Sequence, residues 1–200
     1  MPWLEPVTLR GEHARLEPLS QSHREELVEA VSDGELWKLW YTSVPKPETM
    51  AKEIDRRLGL QTAGSMLPFT VFEADGRIAG MTTYMNVDAA NRRVEIGSTW
   101  YARRVQRTPL NTQCKLLLLA HAFERLDCIA VEFRTHFFNH QSRRAIERLG
   151  AKQDGILRSH QIAPNGTLRD TVVYSIIAAE WPTVRAHLNY QLNDKPRQRG

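Results

Sequence analysis

Between Val105 and Lys115 the sequence VQRTPLNTQCK places hydrogen-bond donors beside what reads as the start of a helix. With Thr108 as N-cap, Pro109 takes the first helical position, where its missing N–H costs little and its fixed φ helps. The backbone N–H groups of Leu110, Asn111 and Thr112 then point along the helix axis, and with the helix dipole they form an anion site. Gln106 and Arg107 add side-chain donors. Every helix has such a start and most bind only water, so spacing alone leaves a cofactor phosphate and a plain buried helix both open. His136 and His140 stand four apart, but a strand-to-helix break predicted between them spoils a shared metal-binding face. No metal is expected.

These residues need elements to hold them. HARLEPL (13–19) reads as a first strand, and SHREELVEAVS as a helix opened by a Ser22-x-x-Glu25 capping box. ELWKLWYT and PETMAKEIDRRLGLQTAG read as helices, the second with Met50, Ile54 and Leu58 at four-residue spacing. LPFTVFEADGRIAGMTTYMNV is two strands around an Asp75-Gly76 hairpin turn. RRVEIGSTWYA (92–102) is a further strand, with Val94, Ile96 and Ser98 on one side and Glu95 on the other. The helix from Pro109 to Leu126 carries leucine all round at 116–119, which predicts burial. CIAVEFRTH is a strand and NHQSRRAIERLG a short helix stopped by Gly150. GILRSHQIA and DTVVYSIIA are strands joined through Asn165-Gly166, and EWPTVRAHLNYQL is a last helix. The strand–helix–strand passage implies a locally parallel pair, so the fold class is α/β, with one mixed, twisted sheet of about seven strands flanked by helices.

Composition agrees with one domain. The chain has 200 residues, 42% apolar and 25% charged, enough for a real core. Residues 1–190 are expected to form that domain and 191–200 a basic tail. No apolar stretch could span a bilayer, and the N-terminus lacks the pattern of a signal peptide. Cys114 and Cys128 form no CxxC pair, which favours reduced thiols and a cytoplasmic location. The net charge of +4 is unevenly placed, with arginines crowded in RRVEIGSTWYARRVQR and QSRRAIERLG. Such clusters suit a phosphorylated cofactor or a nucleic acid, and otherwise serve as a solvated face.

Trp100 through Gly150 resembles the acetyl-CoA-binding half of the GNAT superfamily of N-acetyltransferases, within it the branch of ribosomal-protein N-terminal acetyltransferases. The family loop has the pattern Q/R-x-x-G-x-G/A between a strand and a helix. Here Gln106-Arg107-Thr108-Pro109-Leu110-Asn111 occupies it, departing at Pro109 and Asn111. NHQSRRAIERLGA (139–151) is similar to the N-x-x-S-x-x-x-x-x-x-x-G signature after the family's fifth strand. The order of elements agrees over about residues 10–180.

The resemblance implies a sheet that splays between its fourth and fifth strands, RRVEIGSTWYA and CIAVEFRTH. It implies acetyl-CoA as acyl donor, its pantetheine arm bonding to backbone near Thr99, Trp100 and Tyr101, its pyrophosphate at the helix mouth. A backbone N–H of the fourth strand would stabilise the developing oxyanion. Acyl transfer also needs a base for the amine and a proton for the departing thiolate. Glu95 is the first candidate base, directly or through a water, and an outward-facing carboxylate paired with Arg93 or another basic group is its plain alternative. Glu132 and His136 are reserves. Ser142 matches the position of a hydroxyl near the CoA sulfur, and helix capping is its alternative. Asn139 would bond to the pantetheine arm or a water, or cap the helix itself. Tyr174 is a second candidate acid whose plain role is packing, and Trp37, Trp40 and Tyr41 belong to a wall of the acceptor site. The function implied is transfer of an acetyl group to a primary amine: a protein N-terminus, an amino acid or a small amine. A CoA-binding module with little or no transferase activity is the main alternative. The partners implied are acetyl-CoA and the amine, with homo-oligomerisation left open, and neither a membrane nor a nucleic acid is expected.

Overall fold

The computed structural model describes residues 3–193. The elements are β1 (Leu9–Arg10), β2 (Arg15–Pro18), α1 (Arg24–Ser32), α2 (Met50–Thr62), β3 (Met66–Phe72), β4 (Ile78–Asp88) and β5 (Arg93–Tyr101), continuing with α3 (Leu110–Glu124), β6 (Ala130–His136), α4 (His140–Glu147), β7 (Lys152–Ile162), β8 (Leu168–Ile177) and α5 (Trp181–Asn193). They build one mixed sheet in the order β1-β2-β3-β4-β5-β6-β8-β7, eight strands where about seven were expected. The extra one is the two-residue edge strand β1, too short to leave a periodic signal. Of the basic tail expected over 191–200, residues 191–193 continue α5 and the rest lies outside the described residues.

Both faces of the sheet are covered. α1 and α2 lie over β3 and β4, where Leu27, Met50 and Ile54 join Met81 in the core. α3 covers the other face under α5, with Leu118 and Leu119 fully buried and Tyr84 donating its hydroxyl hydrogen to the Leu118 carbonyl. The hairpin turn at Asp75-Gly76 forms as predicted: Gly76 has φ 93° and the Asp75 carboxylate accepts from the Arg77 N–H.

Two local readings are corrected. The capping box at Ser22 is not formed. A 3-10 turn over Gln21–His23 precedes α1, and Ser20, two residues before Ser22, caps it by accepting from the Ser22 N–H. The helix expected over ELWKLWYT shrinks to one 3-10 turn, Leu36–Lys38. Glu35 enters that turn with φ 50° and Leu39 leaves it extended, so Trp40 and Tyr41 are free to pack on the far sheet instead of on a helix of their own.

Among the described residues the only parallel pair is β5 with β6, and it has three rungs: Arg93–Ala130, Val94–Val131 and Glu95–Glu132. Beyond them β5 follows β4 alone and β6 follows β8 alone. The parting has a local cause. Thr83 pairs with Gly97 and Met81 with Trp100, so Ser98 and Thr99 together face Thr82 alone, and Ser98 takes φ 47°. Such a bulge bends its strand and ends regular pairing. The sheet therefore opens between the carboxyl ends of β5 and β6.

Candidate active site

Alternation along the strands sorts the side chains around this opening. Phe133 and Tyr174 form one rung and Tyr174 bonds to α4, so that face belongs to the helices. Glu132, Arg134 and His136 project to the opposite face, with Thr171 on the rung of His136. Glu95, in register with Glu132, joins them.

Glu95 is not the surface carboxylate that strand alternation allowed: it is 5% exposed. Its Oε2 accepts from Asn86 Nδ2 at 2.7 Å, and Arg134 Nε stands 3.6 Å away. Burial pushes its pKa above the ordinary carboxylate value, against the Asn86 hydrogen bond and the Arg134 charge. Arg93, one of the basic partners its alternative reading allowed, bonds instead to Glu132 at 2.6 Å, and Arg134 Nη2 reaches Glu132 at 2.9 Å. Burial of Glu132 is outweighed by these two arginines, which hold its pKa low. Of the two carboxylates, Glu95 is the one suited to carry a proton.

His136, 4% exposed, accepts at Nδ1 from the Phe138 N–H at 3.1 Å. Burial first, then the charge of Arg169, lowers its pKa and favours the neutral ring. The ring proton then sits on Nε2, which is buried without a hydrogen-bond partner. This nitrogen can donate but cannot accept a proton, so the reserve reading of His136 as a base is corrected. Trp40 and Tyr41 do reach the site, their ring centroids 5.1 and 6.3 Å from that of His136, and Phe138 adds a ring at 5.8 Å. Trp37 packs against the core.

At the helix mouth the Thr108 hydroxyl accepts from the Leu110 N–H at 3.3 Å, and the Gln113 N–H bonds to the Pro109 carbonyl. The helix starts one residue later than expected, at Leu110 with Pro109 (φ −61°, ψ −18°) as N-cap, so Thr108 stands one residue before the cap and takes up the Leu110 N–H from there. The Leu110 N–H is thereby occupied, a correction to its reading as a free donor. The N–H groups of Asn111 and Thr112 have no partner among the described residues. Gln106 turns back to donate to the Tyr101 carbonyl at 3.2 Å, while Arg107 is exposed with φ 63°. Arg148, which the sequence reading passed over, comes from the end of α4 to the Thr112 hydroxyl at 3.3 Å. A cleft of about 320 Å³ lies on the hairpin side of this loop, lined by Thr108, Leu110, Asp75 and the Arg104–Glu73 ion pair.

On β5, Thr99 turns its hydroxyl toward α3, 2.8 Å from Thr82 Oγ1 and 3.2 Å from Lys115 Nζ. The side chains of Trp100 and Lys115 are buried, so this stretch of β5 offers a ligand its backbone. Arg57 is the residue sequence reasoning missed most completely. An arginine at helical spacing reads as a solvated face, yet it is 1% exposed beneath α2. It donates to Glu53 at 2.6 Å, to Thr83 Oγ1 at 2.7 Å and to the Ser98 carbonyl at 3.2 Å, clamping the bulge.

On α4 the cap is Asn139, whose Oδ1 accepts from the Ser142 N–H at 3.0 Å. The capping role offered for Ser142 is thereby corrected, and its half-buried hydroxyl has no partner among the described residues. Tyr174 is fully buried, donating to Glu147 at 2.8 Å and accepting from Arg143 at 3.1 Å, in keeping with packing. Among the described residues no group of three or more His, Cys, Asp or Glu is placed to hold a metal ion, and no helix is long and apolar enough to cross a membrane.

Comparison with known proteins accounts for this geometry. Over 107 residues the chain is 34% identical to the Bacillus subtilis (strain 168) protein described as "Putative ribosomal N-acetyltransferase YdaF". That match spans 54% of this chain and 57% of the relative, little more than half of each. A crystal structure of a GCN5-related N-acetyltransferase from Brucella melitensis superposes with a TM-score of 0.85 and 30% identity, covering 96% of this chain and 88% of that one. A Salmonella typhimurium acetyl transferase, described as modifying the N-terminal serine of a 50S ribosomal subunit protein, shares the fold with a TM-score of 0.75 at 18% identity, over 86% of this chain and 99% of that one. The model of the acetyltransferase (GNAT) domain matches residues 13–152, across the opening of the sheet and both helix starts beside it, and the chain belongs to that family.

Proposed function

We propose that the protein moves the acetyl group of acetyl-CoA to a primary amine by direct attack of the amine on the thioester. The observation that carries this reading is the end of β5–β6 pairing at Glu95–Glu132, which leaves two strand edges open beside a buried carboxylate of raised pKa. An extended chain of amides fits such edges as another strand would. The backbone of Thr99, Trp100 and Tyr101 would hold the pantetheine arm. Asn111 and Thr112 N–H, with Arg107, Arg148 and a side-chain donor from Gln106, would hold the phosphates.

The thioester supplies an activated acetyl group. Glu95, its carboxylate made more basic by burial, takes the proton from the attacking amine, directly or through a water. A backbone N–H of β5 near the Ser98 bulge stabilises negative charge as it develops on the carbonyl oxygen. The Ser142 hydroxyl, free of any cap duty, donates a hydrogen bond to the departing thiolate, which takes its proton from water while Glu95 returns the amine proton to solvent, and Asn139 orients the first turn of α4 that carries it. Free, buried Cys114 and Cys128 agree with a cytoplasmic protein. The names of the relatives make a protein N-terminus one acceptor class to test beside free amino acids and small amines.

A CoA-binding module remains the second reading, supported by Pro109, which has no N–H to give, and by Thr108, which occupies that of Leu110. Calorimetric titration with acetyl-CoA, CoA and ATP, joined to a thiol-release assay over an amine panel, separates the two. Tight acetyl-CoA binding with acetyl transfer supports the transferase. Binding without transfer supports the module, and equal affinity for all three ligands removes both.

A further inference from the structure

We propose that Arg169 and His136 form a carboxylate-recognising subsite in the acceptor pocket, so that the acceptor is an amine bearing a carboxylate close to its amino group, as an amino acid does. This rests on the transferase reading above.

Arg169 lies on β8 and is half-buried, its Nε donating to Thr171 Oγ1 at 3.1 Å. Among the described residues no carboxylate lies within salt-bridge distance of it, whereas the neighbouring Arg93, Arg134 and Arg158 are all paired with carboxylates. Its charge nevertheless bears on both Glu95 and His136, and Arg169 stands two residues along β8 from Thr171, the rung partner of His136. A partly desolvated guanidinium with no carboxylate in direct contact is costly to keep. Its planar edge matches the two oxygens of a carboxylate.

His136 points to the same ligand. Its Nε2 is buried with no partner, and the Phe138 N–H on Nδ1 makes Nε2 the protonated nitrogen. The site therefore offers donors, from Arg169 and His136, and wants an oxygen acceptor. Trp40 and Phe138, which flank the ring, are 52% and 56% exposed, an apolar surface for the rest of the acceptor. A peptide N-terminus brings a neutral carbonyl here and leaves Arg169 with no carboxylate in direct contact. A carboxylate held by Arg169 brings the amine to Glu95 only when the two groups are close in one molecule.

The test is calorimetric titration of the CoA-loaded protein with the standard L-amino acids and with their amides, in parallel with acetyl release from acetyl-CoA. At least one amino acid should bind about 10–100-fold tighter than its amide. Arg169→Gln should erase that difference while leaving CoA affinity unchanged, and Arg169→Lys should restore part of it. Equal binding of acids and amides, binding of no amino acid, or an acid preference that survives Arg169→Gln overturns the subsite. Carboxylate binding that depends on Arg169 without acetyl transfer keeps the subsite and removes the transferase reading. Equal acetylation of acids and amides does the reverse.

Discussion

Glu95 and Glu132 occupy the same rung of the sheet, the last before β5 and β6 part, yet their surroundings drive their protonation in opposite directions. Two arginines grip Glu132, while Glu95 has one amide and a more distant guanidinium. If Glu95 is the base, kcat/KM should rise with pH along a limb centred above the ordinary carboxylate value, because only the ionised form accepts a proton. Glu95→Gln should cost about 10²–10⁴-fold in kcat and flatten that limb. Glu132→Gln removes a like charge and frees Arg134, so it should move the limb to lower pH. A pH–rate profile of the three proteins checks the assignment, and unchanged limbs would reject it.

Asn139 and Ser142 should separate cleanly. Asn139→Ala removes the cap of α4 and should cost about 1 kcal/mol of stability. Ser142→Ala leaves the capped N–H in place, so its melting temperature should hardly change. If the hydroxyl serves the leaving thiolate, kcat and kcat/KM should fall together, with acetyl-CoA affinity kept. Thermal unfolding and acetyl transfer measured on both variants decide it.

Arg57 holds the bulge from beneath. Arg57→Met leaves the Ser98 carbonyl and Thr83 hydroxyl without their donor, each unmet group costing about 1–3 kcal/mol. Urea unfolding should show that loss. If the bulge positions the backbone N–H that faces the reacting carbonyl, acetyl transfer should fall more than acetyl-CoA affinity. Transfer unchanged in the folded variant would make Arg57 purely structural.

Lys115 gives a stability prediction with a defined pH window. Burial depresses its pKa from 10.5 to about 8, and among the described residues its ammonium meets only the hydroxyls of Thr82 and Thr99. Below pH 8 both folded and unfolded chains hold the proton, and the folded chain bears the full cost of burying it. Between the two values the unfolded chain binds more protons, so stability rises with pH. Lys115→Met should be more stable than the parent at pH 7 and lose its advantage by about pH 10. Urea midpoints of both proteins at the two pH values test the difference.

Much of this was legible in sequence because the signals were local. The Asp75-Gly76 turn, the strand periods, the leucine run of α3 and the two motif segments each lie within a few residues, where backbone preference and side-chain period act. The same local rules misplaced the first cap, turned the Trp37–Tyr41 segment into a helix and left Glu95 with a choice of burial. In each case the decision came from residues distant in the chain. Trp40 and Tyr41 leave helical geometry to pack on His136, and Arg93 leaves Glu95 for Glu132.

The sequence by itself determined an α/β domain with a parallel pair, an anion-ready helix start and a short list of carboxylates and hydroxyls. Tertiary structure decided which of them meet. The bulge at Ser98 bends β5 away from β6, and the buried clamp of Arg57 holds it there. Protonation followed from the same packing, because a carboxylate or an imidazole answers to the burial and charges around it, and chains distant in sequence supply both.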